Sequence, residues 1–231
     1  MDFFTLNMES QLEKEAPLAD RMIPKTLDEF VGQSHVLGKG KFLWRVIKAD
    51  RINSMILYGP PGIGKTTLAA IIANTTHKDF KKLSAVTSGV KELREVIKSA
   101  EENLKLYNKR TILFIDEIHR FNKAQQDALL PYVERGIIIL IGATTENPYF
   151  EVNKALLSRM MVIPLYTLNR EEISILIDRA LKDKKRGLGK YNVNIDKEAM
   201  DYLITISDGD GRIALNSLEI AVLSTPTDEK G

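Results

Sequence analysis

One glycine-rich turn in this sequence has the residue types and spacing that hold a phosphate group. It reads Gly59-Pro60-Pro61-Gly62-Ile63-Gly64-Lys65-Thr66, which fits the Walker A pattern. Its glycines let successive backbone N–H groups face an anion, and a helix that follows points its N-terminus at the same anion. Lys65 is expected to contact the β- and γ-phosphates, and Thr66 to bind Mg²⁺. The sequence therefore predicts a Mg-ATP site from Gly59 to Thr67.

A pair of acids ends a compact apolar run and is the second candidate for chemistry. The run is Thr111-Ile112-Leu113-Phe114-Ile115-Asp116-Glu117. A buried strand here would bring Asp116 beside the glycine-rich turn, where its carboxylate holds Mg²⁺ directly or through water. Glu117 would then orient and deprotonate an attacking water. By itself such a run fits a strand followed by a solvated helix cap equally well, but the preceding Walker A turn favours the catalytic interpretation.

Two arginines outside the turn could supply the positive charge that phosphoryl transfer requires. Arg159 ends Leu156-Leu157-Ser158-Arg159, just before an apolar run, and Arg212 follows Gly209-Asp210-Gly211 at the start of the last helical stretch. Each of them is also compatible with an ordinary surface arginine.

Polar residues after two of the apolar runs are weaker candidates. Thr144 and Thr145 follow the run Ile137 to Ile141, where plain turn residues are also common. His119 and Arg120 stand at a helix start just after the acid pair. For them we favour a structural or coupling role over catalysis.

The elements that must position these residues alternate between short apolar runs and helical periodicity. Alternating strands and helices indicate a parallel sheet covered on both faces, an α/β fold. Two helical stretches and a strand separate the two motifs, so an additional strand is expected between the motif strands. Five strands are predicted at Ser54–Tyr58, Leu83–Val86, Thr111–Ile115, Ile137–Ile141 and Met161–Leu165.

The pattern changes near residue 167 to helical periodicity alone. Asn169 and Glu172 form a predicted capping box, and three helical stretches follow. We therefore expect a polar N-terminal tail at 1–16, an ATPase core at 17–166, a small all-α lid at 167–224 and the start of a linker at 225–231.

Composition narrows the class of protein further. The chain has no cysteine and only three widely spread histidines, which excludes disulfides and thiolate sites and disfavours a histidine metal cage. No secretory signal is visible and the longest apolar stretch is too short to span a bilayer, so a soluble, cytoplasmic protein with no membrane partner is expected. The net charge of +2 leaves nucleic-acid contact to a local patch. The loop containing Lys182, Lys184, Lys185, Arg186 and Lys190 is a candidate for that contact or is simply solvated.

The order of these motifs resembles that of AAA+ ATPases, and four further blocks resemble the MgsA/RarA family, which includes the Werner-helicase-interacting ATPase. The blocks are Pro17-Leu18-Ala19-Asp20-Arg21-Met22, Ser84-Ala85-Val86-Thr87-Ser88-Gly89-Val90-Lys91, His119-Arg120-Phe121-Asn122-Lys123-Ala124-Gln125-Gln126-Asp127 and Ile141-Gly142-Ala143-Thr144-Thr145-Glu146-Asn147-Pro148. The resemblance runs from Pro17 to Leu223.

The resemblance implies a role for each remaining candidate. Thr145 would be the sensor near the γ-phosphate, Arg159 the arginine finger that reaches a neighbouring subunit, and Arg212 the lid sensor that contacts nucleotide in its own subunit. The adenine pocket would be lined by Arg21 to Pro24, including Ile23, and by Phe30 to Gln33, including Val31 and Gly32.

The resemblance also implies a cellular setting. Family members act in replication-fork maintenance and recombination, at DNA ends or single-/double-strand junctions, and associate with single-stranded-DNA-binding protein. A nucleoid-associated homo-oligomer is therefore expected, with assembly through a C-terminal domain that would follow residue 231.

Three functions fit these residues. The first is an ATP-driven remodeller of DNA or protein–DNA complexes at replication forks. The second is a clamp-loader or branch-migration subunit similar to RuvB. The third is an ATP-binding scaffold without turnover, against which Glu117 and Arg159 argue, because a pure switch needs neither a base nor a finger.

Overall fold

The computed structural model describes residues 15–226, so most of the predicted tail at 1–16 and linker at 225–231 lies outside the described residues. A 3₁₀ turn covers Ile118–Arg120. The helices and strands are, in chain order, α1 Leu18–Arg21, α2 Ser34–Leu37, α3 Phe42–Lys48, β1 Met55–Tyr58, α4 Lys65–Thr75, β2 Asp79–Ser84, α5 Val90–Tyr107, β3 Thr111–Asp116, α6 Lys123–Glu134, β4 Ile138–Thr144, α7 Pro148–Glu151, α8 Lys154–Leu157, β5 Met161–Pro164, α9 Arg170–Lys182, α10 Lys197–Ser207 and α11 Gly211–Ser224.

The five strands form one parallel sheet in the order β2-β3-β4-β1-β5. The strand β4 lies between the two motif strands β1 and β3, which confirms the expected additional strand. Its residues are buried along its whole length, as a central strand between two helical layers requires. The predicted α/β fold is therefore confirmed.

The edge strand β2 starts and ends earlier than the sequence predicts. It covers Asp79–Ser84 rather than Leu83–Val86, and it pairs with β3 from Asp79 opposite Thr111 to Ser84 opposite Asp116. An edge strand needs no continuous apolar run, and charged side chains there discourage pairing with other chains. Its first four residues, Asp-Phe-Lys-Lys, therefore carry too weak an apolar pattern to be recognised.

The hydrophobic core of the sheet is built from the inward residues of its central strands. Leu113 and Ile115 of β3 and Leu140 of β4 are fully buried, and Leu93 and Ile97 of α5 pack against them. Each such side chain contributes about 1.5–3 kcal/mol when it leaves water. This packing fixes the strand ends on which the candidate residues stand.

The described part of the chain divides into two compact units, one from Gln33 to Tyr166 and one that joins residues 15–32 to residues 167–226. Here we call them the core unit and the helical unit. The segment 17–32, which the sequence places with the core, therefore packs in the helical unit. Leu18 is fully buried among the apolar residues of α9, α10 and α11, and its backbone N–H donates to Glu219 at 2.8 Å.

Within residues 15–226 no helix is both long and apolar enough to cross a membrane.

Candidate active site at the carboxyl edge of the sheet

Parallel strands bring most of the predicted site residues of the core unit to one edge. Asp116 ends β3, Thr144 ends β4, and Gly59 follows directly after β1. Tyr58 stands opposite Thr144 in the register, and the Gly59 N–H donates to the Thr144 carbonyl at 3.1 Å. The carboxyl edge of such a sheet is where α/β proteins place their ligands. The glycine-rich turn and the acid pair therefore occupy one location.

The glycine-rich turn has a backbone shape that only glycine adopts easily. Gly59, Gly62 and Gly64 have φ angles of 156°, 71° and 89°. A Cβ on Gly59 would stand 2.2 Å from the backbone oxygen of Leu165, so no side chain fits there without movement. This shape leaves the loop backbone open to close approach by an anion.

Lys65 is the first residue of α4, and its side chain folds back over the turn. Its Nζ donates to the carbonyl oxygens of Gly59 and Pro60, both at 2.7 Å, and the residue is 8% exposed. The ammonium group thus stands inside the loop, next to the positive end of the helix dipole. A cation, a helix N-terminus and an open glycine backbone together fit a polyphosphate.

The predicted ligands of Mg²⁺ are Thr66, in the first turn of α4 beside the half-buried Thr67, and Asp116. A hydroxyl and a carboxylate are oxygen donors of the kind that Mg²⁺ prefers. In the described part of the chain no three His, Asp or Glu side chains cluster into a metal site. Two protein ligands suit a Mg²⁺ that takes its other ligands from water and phosphate.

Glu117 stands just beyond β3 in an unusual backbone conformation. Its φ and ψ of 52° and 50° are left-handed, which is uncommon for a residue with a side chain and costs of order 1 kcal/mol. Its Oε2 lies 3.2 Å from Nδ1 of His119 and accepts a long hydrogen bond of 3.4 Å from Oγ1 of Thr145. The structure thus brings together the predicted base and the predicted sensor.

Thr144, the other threonine at the end of β4, has a different environment. It is fully buried, and its Oγ1 lies 2.9 Å from Nδ1 of His119. The same oxygen accepts from the Glu146 N–H at 3.0 Å and donates to the Glu146 carbonyl at 3.2 Å. The Thr144 hydroxyl is therefore engaged in hydrogen bonds with neighbouring residues, which leaves Thr145 as the better sensor candidate.

Arg159 lies away from these residues, immediately before β5 and so at the amino edge of the sheet. Its guanidinium donates to the Ala155 carbonyl at 2.7 Å and to Oγ of Ser158 at 2.8 Å, and it pairs with Glu134 at 2.6 Å. It lines an open cleft of about 610 Å³ with Asn53 and other residues of this edge. The structure does not bring Arg159 to the glycine-rich turn of its own chain.

The remaining predicted site residues belong to the helical unit. Arg212 is exposed in the first turn of α11, where Asp210 caps the helix by accepting from the Arg212 N–H at 2.8 Å. Arg21 forms an ion pair with Glu219 and donates to the carbonyls of Ala16 and Arg186, each at 2.9 Å. The guanidinium of Arg21 is therefore engaged within the unit. The other adenine-pocket candidates in this unit, all at least partly exposed, are Ile23, Pro24, Val31 and Gly32.

Two residues have contacts that the sequence does not indicate, namely Gln33, at the end of the predicted adenine-pocket segment, and His119, which has no predicted catalytic role. Gln33 is 4% exposed, and its side-chain amide pairs with the backbone of Tyr166, donating at 2.7 Å and accepting at 2.9 Å. His119 stands between Glu117 and Thr144. Its position two residues after Glu117 was the only available signal in the sequence, and spacing alone does not reveal where a ring nitrogen lies.

Comparison with known proteins agrees with this geometry. Residues 55–166 match the model of the ATPase family associated with various cellular activities (AAA), and residues 189–231 match an AAA C-terminal domain. The replication-associated recombination protein A of Haemophilus influenzae and that of Escherichia coli K12 are each 50% identical over 93% of this chain and 48% of their own. The Bacillus subtilis protein of the same name is 46% identical over 93% of this chain and 50% of its own. The chain thus spans about half the length of these curated relatives.

A solved structure shares the fold. The Holliday junction branch migration motor RuvB of Thermotoga maritima superimposes with a TM-score of 0.71 at 29% identity, over 89% of this chain and 68% of its own. A variant of the same protein is 30% identical over 87% of this chain and 68% of its own.

Proposed function

We propose that this chain binds and hydrolyses Mg-ATP in sites completed between copies. It belongs to the AAA family of ATPases and, within that family, to the group of the replication-associated recombination proteins A. One observation carries the proposal. The glycine-rich turn with Lys65 and the Asp116–Glu117 pair meet at one edge of the sheet, whereas Arg159 stands at the other edge.

The nucleotide would be held by the loop from Gly59 to Thr67. Its backbone N–H groups and Lys65 would bind the phosphates, and Thr66 and Asp116 would bind Mg²⁺. When bound, the metal ion neutralises charge on the phosphate oxygens. This chain would contribute a positively charged phosphate-binding loop, Gly59 to Thr67, which we call the cradle. Its glycine backbone is already in the required conformation.

Glu117 would act as the general base. Its carboxylate is fixed by two neighbours, Thr145 and His119, and so can receive a proton from water without first having to be ordered. Thr145 would report the presence of the γ-phosphate, since the same hydroxyl that contacts Glu117 stands at the end of β4.

Arg159 would act on the site of a neighbouring copy. A strand rises about 3.3 Å per residue, so the four residues of β5 separate the two edges by at least about 10 Å. The guanidinium forms its hydrogen bonds and its ion pair with groups of its own edge, Ala155, Ser158 and Glu134. A head-to-tail ring of copies would place one copy's Arg159 against the next copy's cradle, which supports a homo-oligomer.

The helical unit would act as a lid. Arg212, exposed at the start of α11, would contact nucleotide, and the segment with Arg21, Ile23, Pro24, Val31 and Gly32 would contribute to the adenine pocket. The ion pair of Arg21 with Glu219 supports a structural contribution from Arg21, which holds α1 against α11.

The client would be DNA, at ends or at single-/double-strand junctions, with single-stranded-DNA-binding protein as an associated partner and the nucleoid region of the cytoplasm as the location. Relatives named for replication-associated recombination support this. In the candidate basic loop, Arg186 is paired with Glu29 and Asp183, each at 3.1 Å. Contact with DNA phosphates would therefore come from the exposed residues Lys182, Lys184, Lys185 and Lys190.

A second candidate function is a branch-migration or clamp-loader subunit. The likeness to RuvB favours it, because RuvB is itself a branch migration motor. The chemistry in the site would be the same, and only the client would differ. A scaffold that binds ATP without turnover is less well supported, because Glu117 and Arg159 would then have no role.

The experiment that tests the proposal is steady-state ATP turnover per molecule over a wide range of protein concentration, with forked DNA present and ATP binding measured in parallel. Turnover per molecule that rises with concentration is expected, because each site needs two copies. Tight ATP binding without turnover at any concentration would instead favour the scaffold.

A further inference from the structure

We propose that His119 is a positioning residue that holds the carboxylate of Glu117 through the close polar contact between Nδ1 and Oε2. The inference rests on the proposed ATPase function, in which Glu117 is the base. It assigns a role to a side chain outside the glycine-rich turn.

The contacts of His119 define this role. Its Nδ1 lies 3.2 Å from Oε2 of Glu117 and 2.9 Å from Oγ1 of Thr144. The side chain is 9% exposed and lies in the 3₁₀ turn Ile118–Arg120 directly after Glu117. The ring therefore joins the end of β3 to the end of β4, across the two strands that carry the base and the sensor.

The hydrogen-bond pattern at Thr144 determines which groups donate. Oγ1 of Thr144 has one hydrogen, and the Glu146 carbonyl at 3.2 Å can accept it. Nδ1 of His119 can then carry its own proton and donate it to Thr144, while the same N–H group lies beside the Glu117 carboxylate. The opposite arrangement would direct a nitrogen lone pair at a carboxylate oxygen 3.2 Å away, which is repulsive. The geometry therefore favours the imidazole with hydrogen on Nδ1.

Glu117 needs such a partner because its side chain is partly exposed and weakly held. It is the single residue between β3 and the 3₁₀ turn, and its side chain is 31% exposed. Thr145 alone holds it through a long bond of 3.4 Å. A second, shorter contact from a mostly buried ring restricts the carboxylate to one orientation, and a general base acts only within hydrogen-bond reach of its proton.

Three substitutions of His119 distinguish positioning of the Glu117 carboxylate from simple filling of space by the ring. In His119→Asn the side-chain amide nitrogen can occupy the place of Nδ1, in His119→Gln an amide nitrogen reaches only the place of Nε2, and His119→Ala removes both. ATP turnover at saturating ATP and ATP affinity are measured for each variant at a protein concentration where the parent chain is fully active.

We expect His119→Ala and His119→Gln to lower kcat at least about ten-fold, a part of the roughly 10²–10⁴-fold that a positioned base contributes. ATP affinity should stay within about two-fold, since the ring does not hold the phosphates, and His119→Asn should recover most of kcat. An unchanged kcat in all three variants would overturn the proposal. So would a parallel loss of affinity and kcat that His119→Asn does not relieve, since that indicates a structural role only.

A readout independent of turnover separates this inference from the proposed function. Nitrogen-15 NMR of the histidine rings reports which ring nitrogen carries hydrogen, even in a chain that hydrolyses nothing. Hydrogen on Nδ1 of His119, with a resonance that shifts in Glu117→Ala, is expected. A ring with hydrogen on Nε2 alone, or a resonance indifferent to Glu117→Ala, would overturn the proposal whether or not ATP is hydrolysed.

Discussion

Glu117 and Arg159 stand at opposite edges of the same parallel sheet. Glu117 follows the last residue of β3, and Arg159 comes two residues before the first residue of β5. Since all five strands run in one direction, the first position is at the carboxyl edge and the second at the amino edge. The proposed base and the proposed finger, so arranged, cannot serve one phosphate within a single copy, and this separation is the physical reason to expect sites shared between copies.

Replacing Lys65 should remove most of the affinity for ATP. In Lys65→Met the ammonium that stands over the loop is lost, and losing one partner of a buried charge contact costs about 2 kcal/mol or more, or about thirty-fold in affinity. Equilibrium binding of a fluorescent ATP analogue measures the change. Lys82→Met, at an exposed lysine of β2, is the matched control and should bind as the parent chain does. Equal affinity in the two variants would contradict the assignment of the phosphate site.

Adding one methyl group to Gly59 should damage the loop. The Cβ of Gly59→Ala would stand 2.2 Å from the Leu165 backbone oxygen and 2.8 Å from Cδ1 of Ile63, so the loop must shift. We expect a loss of about 1–3 kcal/mol in the free energy of unfolding, together with weaker ATP binding.

Gly40→Ala is the control for that variant. Gly40 also has a positive φ, of 81°, but its Cβ would meet nothing within 4 Å. Backbone strain alone should then cost about 1 kcal/mol and leave ATP binding unchanged. If chemical denaturation shows equal losses and both variants bind ATP normally, close packing at Gly59 is not important.

The helical unit should lose stability in acid through Asp183. Donation from the Arg186 N–H, helped by the Lys185 N–H and the Arg186 guanidinium, lowers the pKa of Asp183 below its ordinary value of 3.8. A lowered folded-state pKa stabilises the fold above pH 3.8, and this stabilisation disappears as the pH falls through the folded-state pKa.

The variant Asp183→Asn tests this pH dependence. Urea unfolding at about pH 7 should show a loss on the order of 1 kcal/mol, because the backbone N–H groups lose a charged acceptor. The curves of variant and parent should converge as the pH drops below 3.8. Asp28→Asn, at an exposed aspartate of the same unit, should follow the parent chain at every pH. A constant difference between Asp183→Asn and the parent down to acid pH would be inconsistent with this account.

The sequence was sufficient for the parts of the fold with strong local signals. The sequence predicts the turn from Gly59 to Thr66 because its glycine spacing is typical of a phosphate-binding loop. It predicts the strand ending in Asp116 because a short apolar run is typical of a buried strand. The expected additional strand between β1 and β3 was correct, although that strand is β4 and the strand of the intervening segment, β2, lies at the edge of the sheet. The predicted bounds of β2 were wrong because β2 is an edge strand. Its charged residues are tolerated there, so it lacks the continuous apolar run of a central strand.

Other features depend on contacts between distant residues, and no local pattern predicts them. The segment 17–32 packs in the helical unit because Leu18 and Arg21 contact residues about 200 positions later, as the bond from the Leu18 N–H to Glu219 illustrates. The sequence indicates His119 only as a residue near a helix start. Its place between Glu117 and Thr144 depends on how β3 and β4 pair, which the sequence indicates only through the order of strands.

The most direct test of shared sites mixes two variants that are each inactive alone. Glu117→Gln lacks the proposed base and Arg159→Ala lacks the proposed finger, so each should lower ATP turnover at least about 100-fold while retaining ATP binding. Arg110→Ala, in the same cleft as Arg159, is the control and should remain active.

In an equal mixture, a site is complete when an Arg159→Ala copy supplies Glu117 and a Glu117→Gln neighbour supplies Arg159. Random assembly of a head-to-tail ring then restores about one quarter of the parent chain's turnover. Recovery of that size is the predicted result. A mixture as inactive as its two components, at a concentration where the parent chain is fully active, would contradict the claim that base and finger come from different copies.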